Sequence, residues 1–210
     1  MFGIRRALNH AALRQGGVLI RESFLTAVEC EAIRSEARSA NEQKAQVGNV
    51  SEAPDGKTYE QVRSTKIAAL SSERLHALEQ KIMAIKPELE EKFEFSLTAC
   101  SGTSLLVYRE GDHFQWHSDR PVREDAGAPE HVAARRVSVI LFLSSYAKKA
   151  SGHEAFSGGE LWFRGFPGGE KAAAHIHPGL GMLVAFDSRL QHQVSPVAAG
   201  VRYALVSWLR

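Results

Sequence analysis

The spacing of hydrophobic positions changes near residue 95 and divides the chain into two parts. In the first part, Leu25, Val28, Ile33 and Ala37 fall roughly on one helical face, and later apolar residues recur at intervals of three and four at Leu75, Leu78, Ile82 and Ile85. This spacing places them on one side of a helix and therefore predicts two amphipathic helices. Thr26 and Glu29 form a capping-box pattern at the start of the first helix. The second helix is expected to end before Pro87, where another short helical segment can start.

After residue 95 the apolar runs become short and are separated by glycine and proline, as at Gly158-Gly159. The runs cover residues 105–108, 137–143, 160–163, 182–186 and 201–209. Many short runs with turn residues between them predict an all-β sandwich or barrel, and no alternation of strand and helix is present. The sequence therefore predicts an α+β fold in one integrated domain, with a helical supporting region (1–94) packed on one face of a β-core (95–210). The polar stretch 41–61 is expected to be a loop.

Composition narrows the function classes. The 210 residues carry 26 Lys and Arg against 24 Asp and Glu, a formal charge of +2, which gives no electrostatic signal for nucleic acid. No apolar run approaches the roughly 20 residues of a membrane-spanning helix. Cys30 and Cys100 lack metal or redox spacing, so reduced thiols and a cytoplasmic location are expected. The basic segment 1–21 has no long apolar region and is expected to be a surface helix or a frayed end.

The first candidate for chemistry is His117-Ser118-Asp119. On an extended chain the first and third residues project to the same face, so an imidazole and a carboxylate can point at one ion. This pattern alone is weak, and it needs a third ligand from elsewhere. His192 is the candidate, and Arg202 follows it ten residues later. If residues 196–200 form a hairpin turn, His192 and Arg202 lie opposite each other on adjacent antiparallel strands.

Two histidines and one carboxylate form the facial triad that holds non-haem Fe(II), although zinc accepts the same donors. A nearby arginine suits a dicarboxylate co-substrate, because its planar guanidinium binds one carboxylate bidentately while the other end chelates the metal. The competing interpretation is structural: Arg202 would form a salt bridge with Asp187 or Asp119, and His192 would be an ordinary core residue.

The order and spacing of these residues resemble the prolyl 4-hydroxylase-like branch of the 2-oxoglutarate- and Fe(II)-dependent dioxygenases. The matching segments are Tyr108-x-x-Gly111-x-x-Phe114-x-x-His117-x-Asp119, Ser157-Gly158-Gly159-Glu160-Leu161, Pro178-Gly179-x-Gly181 and His192-x-x-x-Pro196-Val197-x-x-Gly200-x-Arg202. The chain departs from the branch at Phe114 and Phe142, where tyrosine is usual. Arg202 stands where the animal collagen enzymes carry lysine.

The resemblance implies a double-stranded β-helix (jelly-roll) core. It implies that His117, Asp119 and His192 bind Fe(II), that Arg202 anchors the distal carboxylate of 2-oxoglutarate, and that Tyr108 lines the co-substrate pocket. The implied reaction uses O2 to hydroxylate an unactivated C–H bond, in a peptidyl proline or another amino-acid residue, and releases succinate and CO2. Ascorbate binding is implied as well.

Three other functions remain open on the sequence: the same chemistry on a free amino acid or small molecule, a non-catalytic binding module, and a zinc hydrolase. Among the remaining candidates, His175 and His177 form an H-x-H pair of the kind that cupins use to bind a metal. The glutamate that a cupin would place a few residues later is missing, so both histidines are expected to be exposed strand residues. His113 is expected to lie at the surface or behind the metal ligands. Trp116, Trp162 and Trp208 are expected to serve packing.

Overall fold

The computed structural model describes residues 13–14, 16–45, 59–121, 128–165 and 173–210. The helices are α1 (Ala27–Ser39), α2 (Tyr59–Val62), α3 (Ser72–Met83), α4 (Lys86–Phe93) and α5 (Glu130–Ala133). The strands are β1 (Leu19–Arg21), β2 (Glu42–Lys44), β3 (Arg63–Ser64), β4 (Lys66–Ala68), β5 (Cys100–Tyr108), β6 (His113–His117), β7 (Val137–Phe142), β8 (Ser145–Tyr146), β9 (Ala155–Gly158), β10 (Leu161–Arg164), β11 (Ala174–Ile176), β12 (Leu183–Asp187), β13 (Gln191–Val194), β14 (Val197–Gly200) and β15 (Arg202–Leu209).

Among the described residues these strands form three sheets. The large sheet has the order β1-β12-β7-β15-β5-β4-β2, the small sheet has the order β11-β10-β13-β6-β3, and a third sheet joins β14, β9 and β8. All strand pairs are antiparallel except β8 with β9. The predicted α+β architecture with a double-stranded β-helix core is confirmed. Strands β1 to β4 come from the first 94 residues and extend the sheets of the core.

Helices α1, α3 and α4 cover one face of the large sheet. Helix α1 begins as predicted, because the Thr26 hydroxyl accepts from the Glu29 amide and the Glu29 carboxylate accepts from the Thr26 amide. Pro87 lies in the first turn of α4, where a missing amide proton costs nothing. Ile33 and Ile82 are buried with Leu205 and Leu141 of the large sheet in one core cluster. None of the helices in the described part of the chain combines the length and apolar character needed to cross a bilayer.

The opposite face of the large sheet packs on the small sheet. Phe142 and Phe186 from the large sheet meet Phe163 from the small sheet in a second buried cluster, and the Phe163 and Phe186 rings make an edge-to-face contact. These large apolar side chains keep the two sheets together over one end of the sandwich. The candidate site lies between the two sheets, at the border of this cluster.

The prediction of a loop over 41–61 was wrong at its ends, where strand β2 and helix α2 begin. Strand β2 has the sequence Glu-Gln-Lys and therefore carries no apolar signal, yet it pairs in register with β4. Glu42 also accepts two hydrogen bonds from the Arg109 guanidinium, which ties this edge to β5. The middle of the predicted loop, 46–58, and residues 1–12 of the basic segment 1–21 lie outside the described residues. The expectation of a surface helix or frayed end is wrong for the last part of that segment, where strand β1 pairs with β12.

Candidate active site

His117 and His192 are direct neighbours in the small sheet. They are register partners where β6 pairs with β13, and their ring centroids are 4.1 Å apart. Asp119 follows the end of β6 by two residues, and its two carboxylate oxygens lie 3.8 Å from Nε2 of His117 and 3.7 Å from Nε2 of His192. One donor atom from each of the three residues fits within 4.8 Å of the other two, which is the spacing of ligands around a single metal ion.

Hydrogen bonds orient both imidazoles toward this point. The Nδ1–H of His117 donates to the carbonyl of Gln115 (2.8 Å), and the Nδ1–H of His192 donates to the carbonyl of Leu190 (2.9 Å). A carbonyl oxygen only accepts, so each ring carries its proton on Nδ1 and presents the lone pair of Nε2. Phe114 stacks on His117 at 3.5 Å between centroids and holds its ring plane. The two rings are therefore set as metal ligands before any metal binds.

Asp119 is held by the large sheet. The Ser138 hydroxyl donates to Asp119 Oδ2 at 2.7 Å, and Ser138 in turn contacts the Ser188 hydroxyl at 2.9 Å. Nη1 of Arg135 donates to the Asp119 backbone carbonyl at 3.2 Å. Ser138 is a polar residue inside the fully buried strand β7. A serine within an otherwise apolar strand is the sequence signal that could have identified Ser138 as a site residue, because a buried hydroxyl requires a hydrogen-bond partner.

The local electrostatics favour the metal-binding protonation states. Burial lowers the pKa of His117, and the neighbouring His192 lowers it further, so the imidazole stays neutral at neutral pH. Burial acts to raise the pKa of Asp119, but His192, His117 and Ser138 together bring it below its ordinary value. The site thus offers the neutral imidazole of His117 and the anionic carboxylate of Asp119, with Nε2 of His192 beside them. Two imidazole nitrogens and one carboxylate oxygen are the donors that Fe(II) accepts in a facial triad.

Arg202 lies at the other end of the same cavity. Its side chain is 1% exposed, and its guanidinium carbon is 4.9 Å, 5.0 Å and 5.9 Å from the ring centres of Tyr108, Phe142 and Phe156. Gly159 permits this position, since a Cβ there would lie 3.2 Å from Cδ of Arg202. Among the described residues Nε and Nη2 of Arg202 have no hydrogen-bond partner. A buried cation with unsatisfied donors is expected to meet an anionic ligand.

Burial lowers the pKa of Arg202 to about 10, and the nearby Tyr108 opposes this shift only in part. The guanidinium therefore remains charged at neutral pH. The competing interpretation, a structural salt bridge from Arg202 to Asp187 or Asp119, is wrong. Asp187 instead accepts from Arg189 at 2.7 Å, and the Asp119 carboxylate accepts from Ser138.

The predicted hairpin between His192 and Arg202 is also wrong. Arg202 opens β15 and pairs with Tyr108 in the large sheet, whereas His192 belongs to the small sheet. The intervening segment forms β14, which pairs with β9 in the third sheet. The two side chains come together by facing one another across the sandwich and not along a hairpin.

One cavity of about 430 Å³ connects these features. His117, Asp119, His192 and Arg202 all line it, as does Tyr108. Further lining residues that the sequence did not assign to the site are Arg63, His131, Arg135, Ser138 and Trp208. A cavity of this volume with a three-donor cluster and a separate buried cation has room for a metal with a chelating dicarboxylate.

The remaining candidates lie elsewhere. His175 and His177 are half-buried and not exposed as expected. The ring of His175 contacts Trp162 of β10 (4.2 Å), and the ring of His177 stacks on Tyr146 of β8 (4.0 Å). His113 does not line the cavity and contacts the Gln61 carbonyl at 3.0 Å.

Trp208 does more than the packing that the sequence predicts. It lines the cavity, and the Arg135 guanidinium lies 3.6 Å from the centre of its ring.

Comparison with known proteins assigns the family. The model of the 2OG-Fe(II) oxygenase superfamily matches residues 103–210, slightly more than half of the chain, and the chain belongs to this family. Membership implies Fe(II), 2-oxoglutarate and O2 as cofactor and co-substrates, and the donor set of His117, Asp119 and His192 fits the metal.

The chain is also similar in sequence to proteins named as PKHD-type hydroxylases. The chain is 35% identical over 104 residues to a PKHD-type hydroxylase of Pseudomonas putida strain W619, and 30% identical over 108 residues to one of Synechococcus sp. strain CC9902. These matches cover 50% of this chain but only 41% and 40% of the relatives, so the chain spans about two fifths of their length.

Solved structures show the same fold. A Pseudomonas putida prolyl-4-hydroxylase superposes with a TM-score of 0.62 at 22% identity, covering 92% of both chains. A Trichoplax adhaerens prolyl hydroxylase, solved with a hypoxia inducible factor oxygen degradation domain peptide fragment, gives 0.62 at 20% identity over 99% of this chain and 91% of the other. Both comparisons show that the chain shares the fold of these two proteins.

Proposed function

We propose that this protein is a 2-oxoglutarate- and Fe(II)-dependent hydroxylase that acts on an amino-acid residue, with a peptidyl proline as the first substrate to test. The observation that carries the proposal is one cavity with two separated parts: a preset cluster of two histidines and an aspartate, and a buried arginine with unused donors. A metal and a dicarboxylate that chelates it would occupy both parts at once.

In this proposal His117 Nε2, His192 Nε2 and an Asp119 oxygen hold the iron. Arg202 binds the distal carboxylate of 2-oxoglutarate, and Tyr108 closes the wall beside it. When bound, iron, 2-oxoglutarate and O2 together supply the oxidising power for C–H hydroxylation, with succinate and CO2 as the other products.

The surrounding side chains exclude water from the co-substrate. The rings of Tyr108, Phe142 and Phe156 surround Arg202 and keep its surroundings weakly polar, which strengthens its attraction to a carboxylate. Phe142 and Phe156 carry no hydroxyl, so within this wall Arg202 and the Tyr108 hydroxyl are the groups that can donate to the carboxylate. Ser138 fixes the Asp119 carboxylate and leaves its other oxygen facing His117.

A peptidyl substrate is supported by the relatives named as PKHD-type hydroxylases and by structural neighbours named as prolyl hydroxylases, one solved with a peptide. The same branch supports ascorbate as an accessory reductant. The free thiols of Cys30 and Cys100 support a reducing, cytoplasmic location. Omitting ascorbate from the assay should shorten the period of linear turnover, and fractionation of the producing cells should place the protein with soluble cytoplasmic markers.

The test of the proposed function is succinate release from 2-oxoglutarate in the presence of Fe(II), with mass spectrometry of proline-containing peptides. A gain of about 16 Da on the peptide, dependent on both Fe(II) and 2-oxoglutarate, is the expected result. Asp119→Ala should abolish both signals, and His113→Ala, on strand β6 just before Asp119 but outside the cavity, should retain them. Hydrolysis supported by Zn(II) without 2-oxoglutarate, or co-substrate binding without any turnover on peptides or free amino acids, would overturn it.

A further inference from the structure

A second pair of histidines lies on the outer face of the small sheet, away from the cavity. Ile176 is fully buried in the cluster between the two sheets, so its neighbours His175 and His177 project to the opposite face. Neither histidine lines the cavity. Both are half-buried, so a small ion can reach them from solvent. The proposed hydroxylation makes no use of this pair.

The two rings are spaced like ligands of one metal ion. The ring centres of His175 and His177 are 4.6 Å apart, close to the 4.1 Å between those of His117 and His192. The ring planes are inclined at 74°, so the two rings do not stack on each other. Metal–nitrogen bonds to imidazole are about 2.0–2.1 Å long, and two rings that share an ion must therefore lie this close together.

Aromatic neighbours hold both rings in place. His175 contacts Trp162, its register partner on β10, at 4.2 Å between ring centres. His177 stacks on Tyr146 of β8 at 4.0 Å, and the Tyr146 amide donates to the carbonyl of Pro178 at 2.9 Å. A side chain that is already packed loses little conformational freedom when it binds a ligand, so the pair is partly preorganised for chelation.

The charge beside this pair favours a cation. The carboxylate of Glu160, just before β10, accepts hydrogen bonds from the hydroxyls of Ser195 and Tyr146, and its negative charge acts on His175. Burial lowers the pKa of His175, and this charge opposes the shift only in part, so the ring is neutral at neutral pH. Among the described residues neither ring nitrogen of His175 has a hydrogen-bond partner. A lone pair is therefore available for a metal.

We propose that His175 and His177 bind a divalent transition-metal ion that prefers imidazole, with Zn(II) as the expected ion, at a second site separate from the iron cluster. Each imidazole would supply one nitrogen, which leaves its other nitrogen for a hydrogen bond. Water would complete the coordination, because within the described part of the chain His117, Asp119 and His192 are the one group of three donors at metal-binding spacing. The inference does not depend on the proposed function.

The choice of metal separates the two sites. Imidazole suits Zn(II), Ni(II) and Cu(II), whereas Mn(II) prefers oxygen ligands and binds nitrogen ligands least tightly of these ions. The iron cluster contains the carboxylate of Asp119 and accepts either kind of ion, but the pair of His175 and His177 supplies nitrogen alone. Zn(II) should therefore occupy both sites and Mn(II) the iron cluster alone.

Equilibrium dialysis of protein without an affinity tag, with metal analysis by mass spectrometry, tests this. At free metal concentrations that saturate the iron cluster, the wild type should bind two equivalents of Zn(II) and one of Mn(II). His175→Asn and His177→Asn should each bind one equivalent of Zn(II). The affinity for the second equivalent should fall at least about 100-fold in each variant, since linking two ligands strengthens binding by roughly 10²–10⁴ over one.

The matched control is His153→Asn, which removes an exposed histidine whose ring contacts the Tyr203 hydroxyl, and it should bind two equivalents of Zn(II). His117→Ala disrupts the iron cluster and should still bind one. Its unfolding temperature should rise with Zn(II) and not with Mn(II), because an ion that binds the folded state stabilises it. Adding His175→Asn to His117→Ala should remove this rise.

A single equivalent of Zn(II) in the wild type, or two equivalents in His175→Asn or His177→Asn, would overturn the inference. Two equivalents of Mn(II) in the wild type would also overturn it, because they would indicate a second site built from oxygen donors. Loss of both equivalents of Zn(II) in His175→Asn, or of all Zn(II) binding in His117→Ala, would show that the two sites are not separate. Should one of the two asparagine variants fail to fold, the other decides, since each lacks one ligand.

Discussion

The two sheets that enclose the cavity differ in how their strands are buried. In the large sheet, β7 is buried at every position and β12 at every position but the last. In the small sheet, β10 and β13 alternate between buried and half-buried residues. The large sheet packs against helices α1, α3 and α4 with one face and against the small sheet with the other, while the small sheet packs against the large sheet with one of its faces.

The two sheets therefore have different roles: the large sheet mainly supports the fold, and the small sheet carries the metal-binding histidines. The alternating small sheet contributes both histidines, which need only point inward from one face. The large sheet contributes polar groups where its pattern is interrupted: Arg202 at the first residue of β15, Ser138 within β7, and Arg135 before β7. Changes in the large sheet should therefore affect stability or anion binding, and changes in the small sheet should affect the metal.

The largest expected effect is on stability, from Leu205→Ala in the middle of the large sheet. Leu205 is fully buried and pairs in register with Leu105 and Leu141. The lost contacts and the cavity left behind should lower the free energy of unfolding by about 2–5 kcal/mol in urea titrations. Val206→Ala, on the same strand but half-buried at the cavity, should cost clearly less. A loss below about 1 kcal/mol for Leu205→Ala would contradict the supporting role of this sheet.

Next in size is the effect of Arg202→Ala on the co-substrate. Truncating one partner of a buried, charge-assisted contact costs roughly 2–5 kcal/mol, or tens- to thousands-fold in affinity. Titration of 2-oxoglutarate into the Mn(II)-loaded variant should show this loss with Mn(II) binding retained, and Arg202→Lys should be intermediate. Unchanged affinity for 2-oxoglutarate in Arg202→Ala would remove this residue from the co-substrate site.

A somewhat smaller effect is expected when the metal cluster is disrupted. Mn(II) at 100 times its Kd should stabilise the wild-type protein by about 2.7 kcal/mol, because it binds only the folded state. His117→Ala and Asp119→Ala should lose this stabilisation in thermal unfolding, whereas His113→Ala on the same strand should keep it. An undiminished metal-induced shift in His117→Ala would show that the metal binds elsewhere.

The sequence predicts the parts of this molecule that local patterns determine. The capping box of Thr26 and Glu29 forms as predicted, and the apolar run 137–143 becomes β7. The spacing of His117 and Asp119 places both side chains at one point, because a strand and its continuation alternate with a fixed period. Such features depend on neighbours a few residues away, which the sequence displays directly.

Pairing between distant strands could not be predicted in the same way. Proximity in sequence suggested that His192 and Arg202 share a hairpin, but β14 between them pairs with β9 instead, and the strands on either side separate into different sheets. Strand β2 has no apolar residue and forms because β4 offers it a free edge. Arg135 gave no local signal either, since its place in the cavity depends on Trp208 from the last strand.

The smallest expected effect lies in the helical layer behind the large sheet, at Glu29. Its carboxylate accepts from Lys81 at 2.6 Å and from the Thr26 amide at 2.7 Å. The hydrogen bond from Lys81, followed by those from Thr26, lowers the pKa of Glu29 from 4.5 to about 2. Because the folded pKa lies below the unfolded value, this stabilisation is fully present above about pH 4.5 and is lost as the pH falls toward 2.

Glu29→Gln should therefore lower the free energy of unfolding by about 0.5–1 kcal/mol at pH 7, a modest amount because the carboxylate is 38% exposed and solvent screens the pair. The difference from wild type should shrink as the pH is lowered from 4.5 toward 2, measured by urea unfolding across that range. Glu91→Gln, an exposed change of the same charge on α4, should show neither effect. Affinities for Mn(II) and 2-oxoglutarate should be the same in both variants, since the helical layer meets only the face of the large sheet that points away from the cavity. A change in either affinity in Glu29→Gln would show that the large sheet transmits changes from its helical face to the cavity. The structural role of the helical layer and ligand binding in the cavity would then not be independent in this fold.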